Sequence, residues 1–133
     1  MMAEALALAG SRLLLVEDEA MVAMMIEDQL TALGCVVVSV VASVSAGLAA
    51  IDRKASALDA AVLDVNLGNE KVYPVAERLK ERGIPFIFST GYGLAGIAPG
   101  FSGIPAIAKP FGSKALEATL VSALSAAPDK DAP

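Results

Sequence analysis

Several residue types are scarce in this chain, and each scarcity excludes a class of chemistry. The sequence has no histidine, no tryptophan and a single cysteine, Cys35. Without histidine, neither a histidine-based metal site nor a histidine general base can be built. A lone cysteine excludes an intrachain disulfide and fits a reducing compartment, so we expect a cytoplasmic protein. Cys35 leads into an apolar run, which favours a core position over a reactive thiol.

Long apolar runs and positive charge are also scarce. No apolar run reaches the roughly 18–20 residues that a membrane-spanning helix needs, and no basic segment marks a signal peptide. Ten basic and fifteen acidic residues give a net charge of −5. A sequence-independent nucleic-acid binder needs a basic face, so we do not expect nucleic acid as a partner; because no apolar run could span a bilayer, we do not expect a membrane either.

Aliphatic residues, in contrast, are abundant. Of the 133 residues, 56% are hydrophobic and 19% are charged. A chain of this length and composition predicts one compact domain with its own core. We expect a leader at residues 1–10, the domain at residues 11–126 and a flexible tail at residues 127–133, with no output domain attached.

Five short apolar runs recur along the chain, at residues 13–16, 35–41, 60–65, 85–89 and 104–108. They lack the polar alternation of a half-exposed strand, which predicts strands buried on both faces. The segments between them carry apolar residues at helical spacing. This β-α alternation predicts an α/β fold, with a parallel sheet and helices on both of its faces.

Glycine, serine and proline mark the ends of the predicted helices. Gly34 and Gly83 are placed to end two helices, and Ser45 and Ser113 are placed to cap two others. Residues 91–103 contain five glycines and a proline, which are unfavourable inside a helix. We therefore expect the fourth helix to be short, distorted or missing.

Polar side chains follow four of the predicted strands, at the edge of the sheet where open α/β proteins bind ligands. They are Glu17 and Asp18 after the first strand, Asp64 after the third, Ser89 and Thr90 after the fourth, and Lys109 after the fifth. A single acid in such a position is usually a helix cap or a solvated turn residue. Helix capping gives no reason for polar residues to follow four separate strands at the same edge of the sheet, so we predict one shared site.

The residue types in this site indicate a particular chemistry. Three crowded carboxylates repel one another unless a cation compensates, and oxygen-only ligands suit Mg²⁺. A carboxylate beside Mg²⁺ and a lysine is a nucleophile suited to phosphoryl transfer through an aspartyl-phosphate. Lys109 would neutralise charge on the phosphoryl oxygens, and the Thr90 hydroxyl would donate to one of them.

Four short motifs carry a resemblance to a known family. They are LLVEDE at residues 14–19, VLDVNL at 62–67, STG at 89–91 and KPF at 109–111. In this order and at the ends of the predicted strands, they resemble the receiver domain of response regulators across residues 11–126. The resemblance implies a flavodoxin-like, doubly wound fold with strand order 2-1-3-4-5. It also implies a cis peptide bond between Lys109 and Pro110.

The resemblance implies roles for the site residues as well. Asp64 would accept a phosphoryl group from a histidine kinase or a histidine phosphotransfer protein. The phosphoryl group would be bound by Thr90 and Lys109. Mg²⁺ would be held by Asp18, Asp64 and the backbone carbonyl of Asn66, with Glu17 acting through water.

The chain departs from the usual receiver pattern at Ala106. Typical receivers carry a tyrosine or phenylalanine there, three residues before the lysine. The sequence FSTGY at residues 88–92 is similar to that of alphaproteobacterial receivers with a Phe-Ala-Thr-Gly-X-Tyr motif, often linked to general stress response. We hypothesise that Tyr92 replaces the missing switch ring; the alternative is that it packs on the loop or shields the site.

Asn66 and Tyr92 flank the expected path of attacking water, where their family counterparts tune the phosphoryl lifetime.

Three functions remain open at this point: a stand-alone, phosphorylation-dependent switch that signals by protein contacts, a phosphate shuttle or sink, and a receiver-like interaction module that is never phosphorylated. The complete acid set, with Thr90 and Lys109, favours the first two, because a degenerate module would be free to lose these residues. No general base or substrate pocket of an independent hydrolase is recognisable. We therefore do not predict an enzyme, and expect at most slow self-dephosphorylation.

Overall fold

The computed structural model describes residues 8–126, so most of the predicted leader and all of the predicted tail lie outside the described residues. In chain order, the strands are β1 (Arg12–Val16), β2 (Val36–Val41), β3 (Ala60–Asp64), the short β4 (Asn66–Leu67) and β5 (Glu70–Lys71), β6 (Phe86–Thr90) and β7 (Ala106–Ala108). The α-helices that carry the fold are α1 (Ala20–Ala32), α2 (Val44–Lys54), α3 (Tyr73–Glu81) and α4 (Ser113–Ala126).

The main sheet has five strands in the order β2-β1-β3-β6-β7, and every pair in it is parallel. Strands β4 and β5 form a separate antiparallel hairpin. With the hairpin set aside, the strand order is 2-1-3-4-5, and the flavodoxin-like fold is confirmed. The chain places β2 on one side of β1 and β3 on the other, which opens a crevice at the carboxyl ends of these strands.

Helices cover both faces of this sheet. On one face, α2 and α3 contribute Ile51, Val75 and Leu79 to a buried apolar cluster. On the other face, α1 and α4 contribute Ile26 and Leu116 to a second cluster. Every residue of β3 and β6 is buried. Burial on both faces explains why these strands read as continuous apolar runs.

The glycine positions agree with the sequence prediction. Gly34 and Gly83 follow α1 and α3 with φ angles of +91° and +68°, which a glycine adopts without strain. Between β6 and β7 there is no α-helix; two short 3₁₀ turns, Leu94–Gly96 and Pro99–Phe101, take its place. The expectation of a short, distorted or missing fourth helix is confirmed.

The predicted helix caps were less accurate. Helix α2 is capped by Ser43, whose hydroxyl oxygen accepts a hydrogen bond from the Ala46 amide at 3.1 Å. The prediction of Ser45 was wrong because the helix begins directly after Ser43, so Ser45 lies within the first turn. Ser113 is the first residue of α4, not the residue before it.

Aromatic contacts hold the segment between β6 and β7 against α3. The Phe101 ring stacks on the Tyr73 ring, with centroids 5.1 Å apart, and meets the Phe88 ring edge-on at 5.7 Å. The Tyr73 hydroxyl accepts a hydrogen bond from the Ala98 amide at 2.9 Å. Ala106 lies opposite Phe88 in the β6–β7 pair and packs against the same cluster. Rings from other elements therefore fill the core beside Ala106.

The beginning of the described chain is built into the core. Leu8 is fully buried, and the Gly10 amide donates a 2.8 Å hydrogen bond to the Gly34 carbonyl. Cys35 is buried beside Leu8, and burial raises the pKa of its thiol to about 11. The core position predicted for Cys35 is confirmed.

Within residues 8–126, no helix has the length and apolarity required to cross a membrane.

Candidate functional site

The carboxyl ends of β1, β3, β6 and β7 meet at one edge of the sheet and bring the predicted residues together. An open cleft of about 440 Å³ lies there, lined by Asp18, Glu19, Asp64, Asn66, Tyr92 and Lys109. Glu17 and Thr90 are buried and contact residues of this lining. Ala106 belongs to the core beneath the site and does not line the cleft.

Lys109 joins two of the acids. Its ammonium nitrogen lies 2.5 Å from Glu17 Oε1 and 3.4 Å from Asp64 Oδ1. Burial by itself lowers the pKa of Lys109, but the Glu17 and Asp64 carboxylates outweigh this effect and raise it. The lysine therefore stays charged at neutral pH. The peptide bond between Lys109 and Pro110 is cis, as the resemblance implied.

Asp64 occupies an electrostatically crowded position at the end of β3. Burial and the Glu17 carboxylate raise the pKa of Asp64 to about 7, whereas Lys109 and the Asn66 amide lower it. The Asn66 amide nitrogen lies 3.4 Å from Asp64 Oδ1. One ammonium thus faces two carboxylates, and this excess of negative charge favours the binding of a cation.

Three consecutive acids follow β1. Among the described residues, Glu17, Asp18 and Glu19 form a group whose carboxylate oxygens lie within 4.8 Å of one another. Glu17 is buried and accepts a hydrogen bond from the Glu19 amide at 3.1 Å, whereas Asp18 and Glu19 are exposed. Glu19 was missed as a site residue, although the unbroken run of three acids was the signal for it.

The oxygen donors predicted for Mg²⁺ fit this geometry. Asp18, Asp64 and Asn66 line the same cleft, so the residues that the resemblance implies as direct ligands lie around one space. Glu17 is engaged by Lys109 at 2.5 Å, which fits contact with a cation through water better than direct contact. The metal itself stays a prediction.

Thr90 links the site to the loop that follows β6. Its hydroxyl oxygen accepts a hydrogen bond from the Tyr92 amide at 3.0 Å, and its carbonyl accepts one from the Lys109 amide at 2.8 Å. The Tyr92 side chain is 81% exposed. In this conformation the ring is not packed into the core, so a switch role requires it to move, and that role stays a prediction.

Comparison with solved structures identifies the family. The receiver domain of the Erythrobacter litoralis PhyR response regulator shares the fold, with a TM-score of 0.79 and 23% identity over 96% of this chain and 99% of that domain. SdrG from Sphingomonas melonis Fr1 is 41% identical over 87% of this chain and 97% of SdrG, with a TM-score of 0.77. The chain is a response-regulator receiver domain. 

Further solved structures of SdrG and PhyR are also similar to this receiver domain. The BeF3-activated conformation of SdrG from Pseudomonas melonis Fr1 matches with 41% identity over 87% of this chain and 98% of SdrG, and a TM-score of 0.74. The response regulator PhyR from Brucella abortus is 26% identical over 92% of this chain, with a TM-score of 0.75. The match covers 51% of PhyR, so the receiver domain spans about half of that protein. No protein-family model and no curated protein matches the chain.

One element of the receiver domain was not predicted, namely the hairpin of β4 and β5. It pairs Asn66 with Lys71 and Leu67 with Glu70, with Gly68 at a φ of +64° in the turn. The Lys71 ammonium donates a hydrogen bond to Asn66 Oδ1. Two-residue strands are too short to show periodicity, so the glycine-containing turn was the available signal.

Proposed function

We propose that this receiver domain is a phosphorylation-dependent switch in which Asp64 accepts a phosphoryl group. The observation that supports the proposal is that Lys109 Nζ lies 3.4 Å from Oδ1 of the buried Asp64, and both residues line an open cleft. The site thereby combines the Asp64 carboxylate, the Lys109 cation and space for a phosphoryl group. Because the chain has no histidine, a phosphohistidine donor must belong to a histidine kinase or a histidine phosphotransfer protein.

In the transfer step, one bond to phosphorus forms and one breaks. An Asp64 carboxylate oxygen forms a bond to phosphorus while the phosphorus–nitrogen bond of the donor phosphohistidine breaks. The imidazole nitrogen keeps the electron pair of that bond. Lys109 neutralises charge on the transferred oxygens, and the Thr90 hydroxyl, which accepts a hydrogen bond from the Tyr92 amide, can turn to donate to one of them.

The donor set of the cleft suits Mg²⁺ as the resident metal. Asp18, Asp64 and the Asn66 carbonyl would hold the ion directly, and Glu17 would hold it through water. Bound there, Mg²⁺ would supply charge neutralisation for the phosphoryl transfer. It also offsets the repulsion between the acids that line the cleft.

The proposed output is a protein contact, not a chemical product. SdrG has been solved in a BeF3-activated conformation, and a second PhyR relative, 27% identical over 97% of this chain and 50% of that chain, is described as a stress response regulator. By this likeness we assign the chain to stress signalling, with an effector protein as its downstream partner, and its single cysteine favours the cytoplasm. The loop that carries Tyr92 is the element that phosphorylation would reshape.

Phosphorylation from a small-molecule donor tests the proposal. We expect incubation with acetyl phosphate and Mg²⁺ to add one phosphoryl group, detected by intact mass, in the wild type and in Asp28→Asn. Asp28 is an exposed acid on α1 and serves as the matched control. The adduct should be absent in Asp64→Asn and without Mg²⁺. An adduct that persists in Asp64→Asn, or no adduct in the wild type, would contradict the proposal.

A second experiment, with beryllofluoride, separates a switch from a phosphate shuttle. Beryllofluoride with Mg²⁺ should shift amide resonances in the loop of residues 91–103 as well as around Asp64. Changes confined to the immediate neighbours of Asp64 would instead support a shuttle or sink, in which the phosphoryl group is carried without a conformational signal.

A further inference from the structure

The β4–β5 hairpin holds a lysine against the rim of the cleft. Asn66, two residues after Asp64, lines the cleft and is paired in register with Lys71. The Lys71 ammonium donates a hydrogen bond to Asn66 Oδ1, while Lys71 itself is exposed and does not line the cleft. The oxygen of the Asn66 carboxamide is therefore directed to a group outside the cleft.

The position of Lys71 is fixed by the backbone around it. The Val72 amide donates a 3.0 Å hydrogen bond to the Val65 carbonyl, which closes the base of the hairpin. Leu67 and Val72 are buried in the cluster beneath it. Glu70 Oε2 accepts a hydrogen bond from the Val44 amide at 3.3 Å, which ties the hairpin to the start of α2. The contact between Lys71 and Asn66 thus belongs to an anchored element.

The two ends of a carboxamide have opposite hydrogen-bonding character. The oxygen is an acceptor and can hold an attacking water by one of its protons, whereas the NH₂ group is a donor and suits acceptors such as the phosphoryl oxygens. With the oxygen held by Lys71, the NH₂ group is the end left for the cleft. Rotation of the carboxamide would exchange these roles and present an acceptor to water.

We propose that Lys71 is a positioning residue that prolongs the lifetime of the phosphoryl group by fixing the orientation of Asn66. This inference rests on the proposed phosphorylation of Asp64. In the hydrolysis that it slows, a water oxygen forms a bond to phosphorus and the bond from phosphorus to the Asp64 oxygen breaks. Asp64 leaves as the carboxylate with the electron pair, and the product is inorganic phosphate, with the proton released to solvent.

The charge of Lys71 is compatible with phosphorylation of Asp64. A phosphoryl group adds roughly 1.5–2 negative charges near neutral pH. Of the residues that line the cleft, Lys109 is the cation, and it already faces Glu17 and Asp64. The added negative charge does not repel the Lys71 ammonium, so phosphorylation is compatible with its contact to Asn66.

Decay of the aspartyl-phosphate tests this role. After acetyl phosphate is removed in the presence of Mg²⁺, Lys71→Met should lose its phosphoryl group about 3- to 10-fold faster than the wild type, the range that one hydrogen bond provides. Lys71→Arg keeps a donor to Asn66 and should restore a near wild-type lifetime. Lys114→Met removes the same charge from an exposed position on α4 and should leave the lifetime unchanged.

A second background isolates the role of Asn66. In Asn66→Ala, which keeps the backbone carbonyl, adding Lys71→Met should change the lifetime no further, because the carboxamide is gone. In the unphosphorylated protein, Lys71→Met should also shift the side-chain NH₂ resonances of Asn66. Suppose that the wild type is phosphorylated but Lys71→Met loses its phosphoryl group at the wild-type rate. Or suppose that Lys71→Met speeds this loss equally in the wild-type and Asn66→Ala backgrounds. Either result overturns this inference and leaves the proposed function standing. If the wild type takes up no phosphoryl group, the proposed function and the inference both fall.

Discussion

The Tyr92 amide donates a 3.0 Å hydrogen bond to the Thr90 hydroxyl oxygen, while the Tyr92 side chain is 81% exposed. The hydroxyl that is proposed to bind the phosphoryl group is therefore tied to the backbone of the loop that follows β6. If the hydroxyl turns toward a phosphoryl oxygen, it either draws the Tyr92 backbone with it or loses this bond. Gly91 and Gly93 flank Tyr92, and Gly93 has a φ of +84°, so the backbone here is permissive.

Tyr92 should report and transmit this movement. The chain has no tryptophan and two tyrosines, so the Tyr73→Phe variant confines intrinsic fluorescence to Tyr92. We expect its emission to change when beryllofluoride and Mg²⁺ bind, because the exposed ring changes environment. In Tyr92→Ala, we expect amide shifts near Asp64 to persist and those in residues 94–103 to be lost. Unaltered distant shifts in Tyr92→Ala would show that the ring is not the switch.

Mg²⁺ should stabilise the folded protein in the absence of any phosphoryl donor. A ligand that binds only the native state raises the free energy of unfolding, and with it the unfolding temperature, as the free ligand concentration rises above its Kd. We expect a rise in Tm with increasing Mg²⁺ in the wild type and in the control Asp28→Asn, and a strongly reduced rise in Asp18→Asn. The comparison is made by differential scanning calorimetry at constant ionic strength. An equal rise in Asp18→Asn would exclude Asp18 as a ligand.

Without divalent cations, Asp64 should make stability depend on pH. Burial first, and then the Glu17 carboxylate, raise the pKa of Asp64 from 3.8 to about 7 in the folded chain. Between these values the folded state binds the proton that the unfolded state releases, so the free energy of unfolding falls as pH rises from about 4 to 7. Asp64→Asn should remove this contribution. Parallel urea-denaturation curves for both proteins in chelator-containing buffer give the difference, and identical pH profiles would contradict the raised pKa.

The aromatic contacts beside Ala106 should carry measurable stability. Phe101 is buried between Tyr73 and Phe88, so Phe101→Ala leaves a cavity and should lower the free energy of unfolding by about 3–5 kcal/mol. Tyr73→Phe keeps the ring but leaves the Ala98 amide without its acceptor, at a cost of about 1 kcal/mol. Urea denaturation measures both. A Phe101→Ala effect no larger than that of Tyr73→Phe would show that these rings are not packed as described.

The strands and the glycine-marked ends of two helices were predictable because their signals are local. A strand buried on both faces requires an unbroken apolar run, and glycines such as Gly34 and Gly83 adopt the positive φ that ends a helix. The cap of α2 was mispredicted because Ser43 and Ser45 are both suitable residue types. The choice between them depends on where the chain leaves β2. The β4–β5 hairpin was missed because its strands are too short for a periodic pattern.

The sequence alone determined which residues share the site. In a parallel sheet with this strand order, the carboxyl ends of β1, β3, β6 and β7 must lie at one edge, so Asp18, Asp64, Thr90 and Lys109 converge whatever their side chains do. Only the tertiary structure decided which partner each side chain contacts and which way it points. Lys109 pairs with Glu17, 92 positions away, the Tyr92 ring turns outward, and Lys71 holds Asn66. These contacts join side chains from separate loops, and their geometry is set by burial and charge across the whole fold, which no local pattern encodes.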